Sequence, residues 1–261
     1  MRFIRYQKRN DPVRYGWVYE NMVGEVEGTP LGEFRRLEAT LPLESVRLLS
    51  PIQPGKIICV GRNYVAHAKE HNADVPDVPL LFLKPPSSVI GQEQTILLPP
   101  QSQQVEHEAE LVVVIGKRGR WIPAEDAPSY ILGYTIGNDV TARDLQRRDG
   151  QWTRGKSFDT FCPLGPWLET EFDPTDAMIT CSVNGEMRQM ASTHDMVFRV
   201  EQLIAFASSI MTLEPGDIIM TGTPSGVSPL RAGDVVEVTI DKLGTLRNPV
   251  NTDSTKGTLT V

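Results

Sequence analysis

The stretch "EHEAELVVVIG", residues 106–116, places a carboxylate at every second position and then continues as an unbroken apolar run. The apolar part predicts a buried β-strand, because valine and isoleucine favour extended backbone. In a strand, side chains two residues apart share a face, so Glu106, Glu108 and Glu110 would point the same way. Like charges on one face repel more strongly as water is removed. The stretch therefore predicts either a solvated strand end or acids held together by a cation.

The composition is that of an ordinary globular chain. Of 261 residues, 40% are hydrophobic and 23% are charged. The net charge of −7 comes without a basic run, which argues against a nucleic-acid partner. Apolar runs such as 111–115 are too short to span a membrane, and the first residues lack a secretory signal. The scattered Cys59, Cys162 and Cys181 form no CxxC pair, so we expect a cytoplasmic protein without disulfides or a thiolate metal site.

Strand signals outnumber helix signals along the chain. Residues 1–50 contain short alternating stretches that predict a small sheet, and "SPIQPGK", residues 50–56, has the proline and glycine of a boundary. We therefore expect a small N-terminal β-rich domain over 1–52 and a larger catalytic domain over 53–261. Together these signals predict an α+β fold that is mainly β.

A few local signals are more specific. Apolar spacing predicts a helix within residues 195–211, and shorter helices are expected at 64–72 and around 123–131. The pair Asn184–Gly185 stands between two alternating runs and predicts a tight β-hairpin.

The first candidate for chemistry is the acidic stretch together with Asp139 in "GNDVTARD". Glu108 and Glu110 offer two oxygen ligands from one strand face, and Asp139 follows another predicted strand. Oxygen ligands of this kind suit hard cations such as Mg²⁺ or Mn²⁺. The alternative is a solvated strand end beside an ordinary turn aspartate, and a two-glutamate motif alone favours that alternative.

The second candidate is "GRNYVAHAKEH". On a helix His67 and Glu70 face the same side, and a carboxylate beside an imidazole makes a general base. With His71 the same letters spell the H-x-x-E-H pattern of one class of zinc peptidase. The simpler interpretation is an exposed helix face whose polar side chains are solvated.

Two further stretches carry polar groups of interest. Lys156 lies in a predicted loop beside Phe158 and Phe161, where it would either meet an anionic substrate or be solvated. The segment "TGTPSGV", residues 221–227, can turn backbone N–H groups toward an anion or simply connect two strands. It lacks the ending of a phosphate loop, so nucleotide binding is not indicated.

Seven stretches taken in order resemble the fumarylacetoacetate hydrolase family. They are "GRNYVAHAKE", "FLKPPSSVIG", "EHEAELVVVIG", "GYTIGNDVTARDLQ", "KSFDTFCPLGP", "VNGEMRQ" and "MTGTPSGV". The resemblance covers about residues 53–250. It implies a mixed β-sandwich roll around a divalent metal, and a homodimer.

The resemblance also implies roles for individual residues. The family's metal ligands match Glu108, Glu110 and Asp139, which would bind Mg²⁺ or Mn²⁺, whereas Glu106 is a neighbour rather than a ligand. On a lid segment, His67 matches the family's general base and Glu70 the carboxylate that orients it. The family's contacts to the substrate or its oxyanion match Gln146, Lys156 and Thr223.

The implied chemistry is that of a 2-oxo acid whose enolate is stabilised by the metal. The His67–Glu70 pair favours water activation, so hydrolytic C–C cleavage of acylpyruvate-type substrates is our first expectation. Oxaloacetate decarboxylation and isomerisation of a hydroxymuconate-type diene use the same enolate and are the alternatives. A zinc peptidase and a non-catalytic metal-dependent binding protein are alternatives from other classes. We further expect residues 62–79 to be a mobile lid.

Overall fold

A computed structural model of the protein describes residues 1–254. Its strands are β1 Arg2–Gln7, β2 Arg14–Tyr19, β3 Met22–Gly28, β4 Phe34–Pro42, β5 Arg47–Leu49, β6 Ile57–Gly61, β7 Leu80–Lys84, β8 Val89–Ile90, β9 Ile96–Leu98, β10 Val105–Glu106, β11 Ala109–Ile115, β12 Ile131–Asn138, β13 Thr141–Ala142, β14 Cys162–Glu169, β15 Met178–Val183, β16 Glu186–Ser192, β17 Ile218–Met220, β18 Val235–Ile240 and β19 Gly244–Thr252. Its α-helices are α1 Val65–Glu70, α2 Arg143–Asp149, α3 Thr153–Lys156 and α4 Val200–Ile210, and short 3-10 helices cover Leu43–Ser45, Pro86–Ser88, Ala124–Tyr130 and Thr193–Asp195. The predicted α+β, mainly β fold is confirmed.

The apolar run that follows the three acids forms most of β11, an interior strand of a twelve-stranded sheet. β11 pairs antiparallel with both β12 and β17, and every one of its residues is buried. Alternate side chains enter two different cores: Leu111 and Val113 lie in one hydrophobic cluster, Val112 and Val114 in the other. A strand covered on both faces reads as a continuous apolar run rather than an alternating one, which explains the sequence pattern.

A second sheet of five strands, in the order β16-β15-β18-β19-β9, covers one face of the large sheet. Ile179 and Val238 from this sheet share a core cluster with Ile136 of β12. The β15–β16 hairpin turns at Asn184 and Gly185, whose φ values of 54° and 79° are both positive. Asparagine and glycine tolerate that conformation, so the predicted tight hairpin is confirmed.

The N-terminal strands continue the large sheet. β1 pairs antiparallel with β14, with Phe3 opposite Leu168, while β2, β3 and β4 follow outward. The predicted small sheet in residues 1–50 is therefore present, joined edge-on to the strands of the rest of the chain. The division into domains at residue 52 stays a prediction.

The helices are shorter than the sequence patterns suggest. α4 buries Leu203 and Ile204 as its spacing predicts, but it starts at Val200 because residues 193–195 form a 3-10 turn closed by a capping box. The helix predicted around 123–131 is also a 3-10 helix, with Pro128 inside it. Within residues 1–254, every helix is too short or too polar to cross a membrane.

Candidate active site

The acids meet where β11 and β12 begin and end. β11 starts at Ala109, opposite Asn138 at the end of β12, so Glu108 and Asp139 leave the sheet side by side. The backbone N–H of Asp139 donates to the carbonyl of Glu108 at 2.8 Å. Carboxylate oxygens of Glu108, Glu110 and Asp139 lie within 4.8 Å of one another. The structure therefore brings the three predicted metal ligands together.

Glu106 does not share this cluster. It belongs to the separate short strand β10, and Arg143 Nε donates to its Oε2 at 2.7 Å. The strand is interrupted at residues 107 and 108, yet the carboxylates of Glu106 and Glu108 meet at the same guanidinium group of Arg143. Glu108 and Glu110 converge with Asp139 as predicted, and Glu106 is their neighbour.

Buried cations balance most of these acids. Lys156 Nζ lies 2.7 Å from Glu108 Oε2 and 2.6 Å from Asp139 Oδ2, and Lys84 Nζ lies 2.5 Å from Asp139 Oδ1. Arg143 donates to Glu106 and Glu108. Burial alone would raise the pKa of Glu108, but Lys156 and Arg143 outweigh it and lower that pKa. With Glu106 added to the three predicted ligands, four carboxyl groups face three cations, which leaves one carboxyl group without a cation.

Glu110 is the carboxyl group left without a cation. Its side chain forms no ion pair within residues 1–254 and accepts one hydrogen bond, from the backbone N–H of Gly222 at 2.8 Å. Burial and then repulsion from Asp139 and Glu108 raise the pKa of Glu110 well above its usual range. An oxygen-only donor set in which one buried carboxyl group lacks a cation fits a small hard divalent cation.

Gly222 allows this contact because of its backbone. Its φ of +97° is a conformation that residues with a side chain rarely adopt, and an added Cβ would lie 2.7 Å from Cβ of Asn63. In the same segment Gly226 N–H donates to Glu70 Oε1 at 3.0 Å. The segment 221–227 thus directs its N–H groups at two of the protein's own carboxylates, which is a more specific role than a plain strand connection.

The predicted pair of a histidine base and its orienting carboxylate lies on α1. His67 is 7% exposed, and its Nδ1 lies 3.4 Å from Glu70 Oε2. Burial is the main cause that lowers the pKa of His67 to about 4, so the imidazole is neutral at pH 7. Burial also raises the pKa of Glu70. The simpler interpretation of a solvated helix face therefore fits Glu70, which is partly exposed, but not His67.

A cleft of about 600 Å³ joins the two groups. Its lining combines acids, bases and aromatic rings from strands, helices and loops: Val60, Gly61, Arg62, His67, Glu70, His71, Asn72, Phe82, Glu108, Glu110, Arg143, Gln146, Arg147, Gly150, Trp152, Lys156 and Thr223. Seven of the eight predicted site residues are among them, and the eighth, Asp139, is buried behind Lys156. The eight residues come from distant parts of the chain and meet in one place.

Lys156 occupies a different place from the one predicted. It ends the short helix α3 instead of lying in a loop, is 2% exposed, and has its ammonium between two acids. Burial lowers the pKa of Lys156, but Asp139 and Glu108 raise it by more, so the side chain stays charged. Its contact with a substrate oxygen stays a prediction.

Two charged residues of the site were not singled out in the sequence. Arg143 follows the predicted strand 133–140 and donates to Gln146 Oε1 at 2.6 Å as well as to the acids. Lys84 ends β7, where a lysine beside "LLFL" was the available signal. Both are buried, and both act on the predicted metal ligands rather than standing at the surface.

A buried hydrogen-bond network sets the orientation of Thr223. Gln189 Oε1 accepts from the backbone N–H of Ala109 and from His107 Nδ1, at 3.1 and 2.9 Å. Its Nε2 donates to Pro224 O and to Thr223 Oγ1, at 2.7 and 2.8 Å. Because a backbone N–H only donates and a carbonyl only accepts, the Gln189 amide has one possible orientation. The Thr223 hydroxyl therefore accepts from Gln189, and its own proton remains available to the cleft.

Two family models together match most of the chain. The C-terminal model of fumarylacetoacetate (FAA) hydrolase matches residues 56–251, and an "Rv2993c-like, N-terminal" model matches residues 1–51. The chain belongs to the fumarylacetoacetate hydrolase family. The resemblance drawn from seven motifs is confirmed, and the zinc-peptidase alternative is left without support.

Members of the fumarylacetoacetate hydrolase family similar to this chain include enzymes with isomerase names. The oxaloacetate tautomerase FAHD2A, mitochondrial, of Homo sapiens is 49% identical over 223 residues, 80% of this chain and 71% of the relative. A solved 5-carboxymethyl-2-hydroxymuconate delta-isomerase from Mycobacterium smegmatis is 44% identical with a TM-score of 0.89, covering 97% of this chain and 100% of that one. A 2-hydroxyhepta-2,4-diene-1,7-dioate isomerase from Mycobacterium marinum is 41% identical with a TM-score of 0.90, covering 97% and 99%.

Proposed function

We propose that this protein is a divalent-cation-dependent enzyme that moves a proton on a dicarboxylic 2-oxo acid, as in keto–enol tautomerisation of oxaloacetate or isomerisation of a hydroxymuconate-type diene. The observation that carries the proposal is a neutral imidazole, His67, beside Glu70 in the same cleft as three converging carboxylates. A tautomerase and two isomerases among the relatives support proton transfer as the reaction type. Our first expectation from the sequence, acylpyruvate hydrolysis, becomes the second candidate.

Glu108, Glu110 and Asp139 are the residues that would hold Mg²⁺ or Mn²⁺. When bound, such an ion acts as a Lewis acid that polarises a carbonyl and favours its enolate. The protein supplies the counter-charge and the shape of the site. Arg143 and Lys156 keep Glu108 ionised, so that this ligand is ready at neutral pH.

The cleft suits an anion with carboxylates at both ends. Arg143 lines it from α2, and Arg62 and Arg147 add two more guanidinium groups. Guanidinium groups bind carboxylates through paired hydrogen bonds. The Thr223 hydroxyl oxygen accepts a hydrogen bond from Gln189 Nε2, so its proton is free to be donated to the substrate. These donors would position the substrate, and Arg62 and Arg147, which form no ion pair within residues 1–254, favour a dianion over a monoanion.

His67 would carry the proton. With Nδ1–H donated to Glu70, its Nε2 keeps a lone pair that accepts a proton from the carbon next to the keto group. Glu70 holds the ring in that tautomer and stabilises the imidazolium that forms. The same nitrogen would return the proton to the other end of the three-atom system, which completes an isomerisation without a net change in the enzyme.

Hydrolysis remains the second candidate because His67, oriented by Glu70, can also take a proton from water. The cleft volume of about 600 Å³ exceeds what a four-carbon acid fills, which leaves room for an acylpyruvate and a water molecule. Lys156 would then stabilise the oxyanion.

A substrate panel tests the proposal. Loss of the enol absorbance of oxaloacetate, conversion of a hydroxymuconate-type diene and cleavage of an acylpyruvate would be followed with Mg²⁺ or Mn²⁺, with products identified and the metal-only rate subtracted. His67→Ala should lose the proton transfer, and His194→Ala, an exposed histidine outside the cleft, should not. Acylpyruvate cleavage without isomerisation would select the second candidate, and inactivity on all three compounds would contradict both.

Three expectations from the sequence stay predictions. A homodimer, a cytoplasmic location and a mobile lid over residues 62–79 are implied by the family resemblance and the composition. The lid prediction is checked by hydrogen exchange, which should slow in 62–79 when oxalate and Mg²⁺ are added together.

A further inference from the structure

Helix α1, which carries His67 and Glu70, holds a second set of atoms that can bind a metal. His67, Glu70 and His71 occupy positions i, i+3 and i+4, so they share one face of α1 and its last turn. Their ligand atoms lie within 4.8 Å of one another. The acid cluster offers only oxygen, whereas this set offers two imidazole nitrogens and one carboxylate. The two sets therefore suit different classes of ion.

The spacing of His67 and Glu70 fits two ligands of a tetrahedral ion. Bonds of about 2.0–2.1 Å to a tetrahedral Zn²⁺ place neighbouring ligand atoms about 3.4 Å apart. His67 Nδ1 and Glu70 Oε2 are 3.4 Å apart. The rings of His67 and His71 meet edge to face with centroids 4.7 Å apart, which keeps both imidazoles beside Glu70.

His71 has a nitrogen that the protein leaves without a partner. Its Nε2 is buried and makes no hydrogen bond within the described part of the chain. Buried polar atoms nearly always have a partner, and an exception calls for an explanation such as an absent ion. Burial lowers the pKa of both His67 and His71. Both imidazoles are therefore neutral at pH 7, which is the form that binds metal.

We propose that His67, Glu70 and His71 form an inhibitory site for a borderline-soft transition metal such as Zn²⁺, separate from the carboxylate cluster that suits Mg²⁺. An ion bound to His67 Nδ1 and Glu70 leaves the ring proton on Nε2, so His67 keeps no lone pair that could accept a proton from the substrate. Glu70 already accepts from Gly226 N–H, so the ion would share this carboxylate with the segment 221–227. Binding to this site is independent of the proposed function, and only the inhibition rests on it.

Cobalt absorption tests the binding directly. Co²⁺ in a tetrahedral site with nitrogen ligands gives strong visible bands, and Co²⁺ in an octahedral oxygen site gives weak ones. The full chain would be titrated with Co²⁺ at saturating Mg²⁺, as parent, His71→Ala, His71→Asn and the control His194→Ala, each checked for folding by circular dichroism. We expect strong bands in the parent and the control, and at least tenfold weaker binding in both His71 variants. Weak bands in the parent, or equal titrations in all four proteins, would overturn the site.

Inhibition by Zn²⁺ tests the consequence. Each variant's rate on the substrate it converts best is compared with its own zinc-free rate, so the basal activity of a variant does not enter. We expect the half-inhibiting Zn²⁺ concentration to be at least tenfold higher for His71→Ala than for the parent. For the parent, this concentration should stay the same when Mg²⁺ is raised tenfold. Relief by Mg²⁺ together with unchanged sensitivity of His71→Ala would place zinc at the carboxylates and refute the inhibitory role. If no 2-oxo acid is converted, the proposed function fails, while the cobalt titration still decides the site.

Discussion

Replacing Lys84 with methionine removes one of the three cations that balance the buried acids. The side chain of Lys84 is fully buried, and its ammonium contacts Asp139 Oδ1 at 2.5 Å and Val140 O at 3.1 Å. Methionine has a similar length and no charge, so packing in β7 changes little. The variant leaves Asp139 with Lys156 as its one cation and gives the cluster a second unbalanced negative charge.

The expected loss is large because the site is dry. Removing one partner of a buried ion pair costs about 3–5 kcal/mol, since the other charge stays buried without compensation. A divalent cation offsets part of this loss. A cation at a hundred times its Kd stabilises a folded protein by about 2.7 kcal/mol. The variant should bind the cation more tightly than the parent, so Mg²⁺ should raise its free energy of unfolding by more.

Chemical denaturation with and without Mg²⁺ measures both effects. The control is Arg154→Met, which breaks an ion pair with Asp149 at the surface and should change the free energy of unfolding very little. A loss below about 1 kcal/mol for Lys84→Met would contradict the buried-charge explanation. An equal gain from Mg²⁺ in variant and parent would contradict cation binding beside Asp139.

Four further predictions concern the site. Glu108→Gln should lower Mg²⁺ affinity at least tenfold in a calorimetric titration and leave the circular dichroism spectrum unchanged; unaltered affinity would remove Glu108 from the ligand set. His67→Ala should slow proton transfer on the best substrate of the panel by about 10²–10⁴-fold, at least about 2.7 kcal/mol of barrier at about 1.4 kcal/mol per tenfold; an equal rate in variant and parent would show that His67 is not the base. Because burial favours the neutral imidazole and lowers its pKa to about 4, kcat/KM should stay level from pH 7 to 5 and fall as pH approaches 4, whereas a fall centred near the ordinary histidine pKa would contradict this assignment. Gln189→Leu should weaken binding of oxalate with Mg²⁺ in the parent and have no further effect in a Thr223→Val background, while additive losses would indicate a purely structural role for Gln189.

The sequence predicted best where one pattern has one physical cause. The run in β11 is apolar because both faces of that strand are covered, and Asn184–Gly185 turns the hairpin because both residues tolerate a positive φ. The site residues Glu108 and Glu110 could be identified from the sequence for the same reason, since acids next to an apolar strand are conspicuous. The seven motifs then supplied their partners from distant parts of the chain.

Other features depend on contacts that no local pattern contains. Lys84 and Arg143 look like ordinary surface cations in the sequence, and they are buried because acids from other strands neutralise them. The acid Glu106 lies in β10, which pairs with β13, and Arg143 links its carboxylate to that of Glu108. Each of these outcomes follows from tertiary charge balance or strand pairing, neither of which is encoded in spacing along the chain.

The pairing of β1 with β14 bears on how the protein is made. Arg2 and Glu169 meet across a separation of 167 residues. At about 5–20 residues per second, a ribosome delivers the second strand roughly 10–30 s after the first. Until then Arg2 and Phe3 have β2 on one side and no strand on the side that β14 will occupy, and open strand edges pair readily with other chains. Aggregation of the nascent chain should therefore respond to the speed of translation and to chaperones that cover this edge, even if the finished fold is very stable.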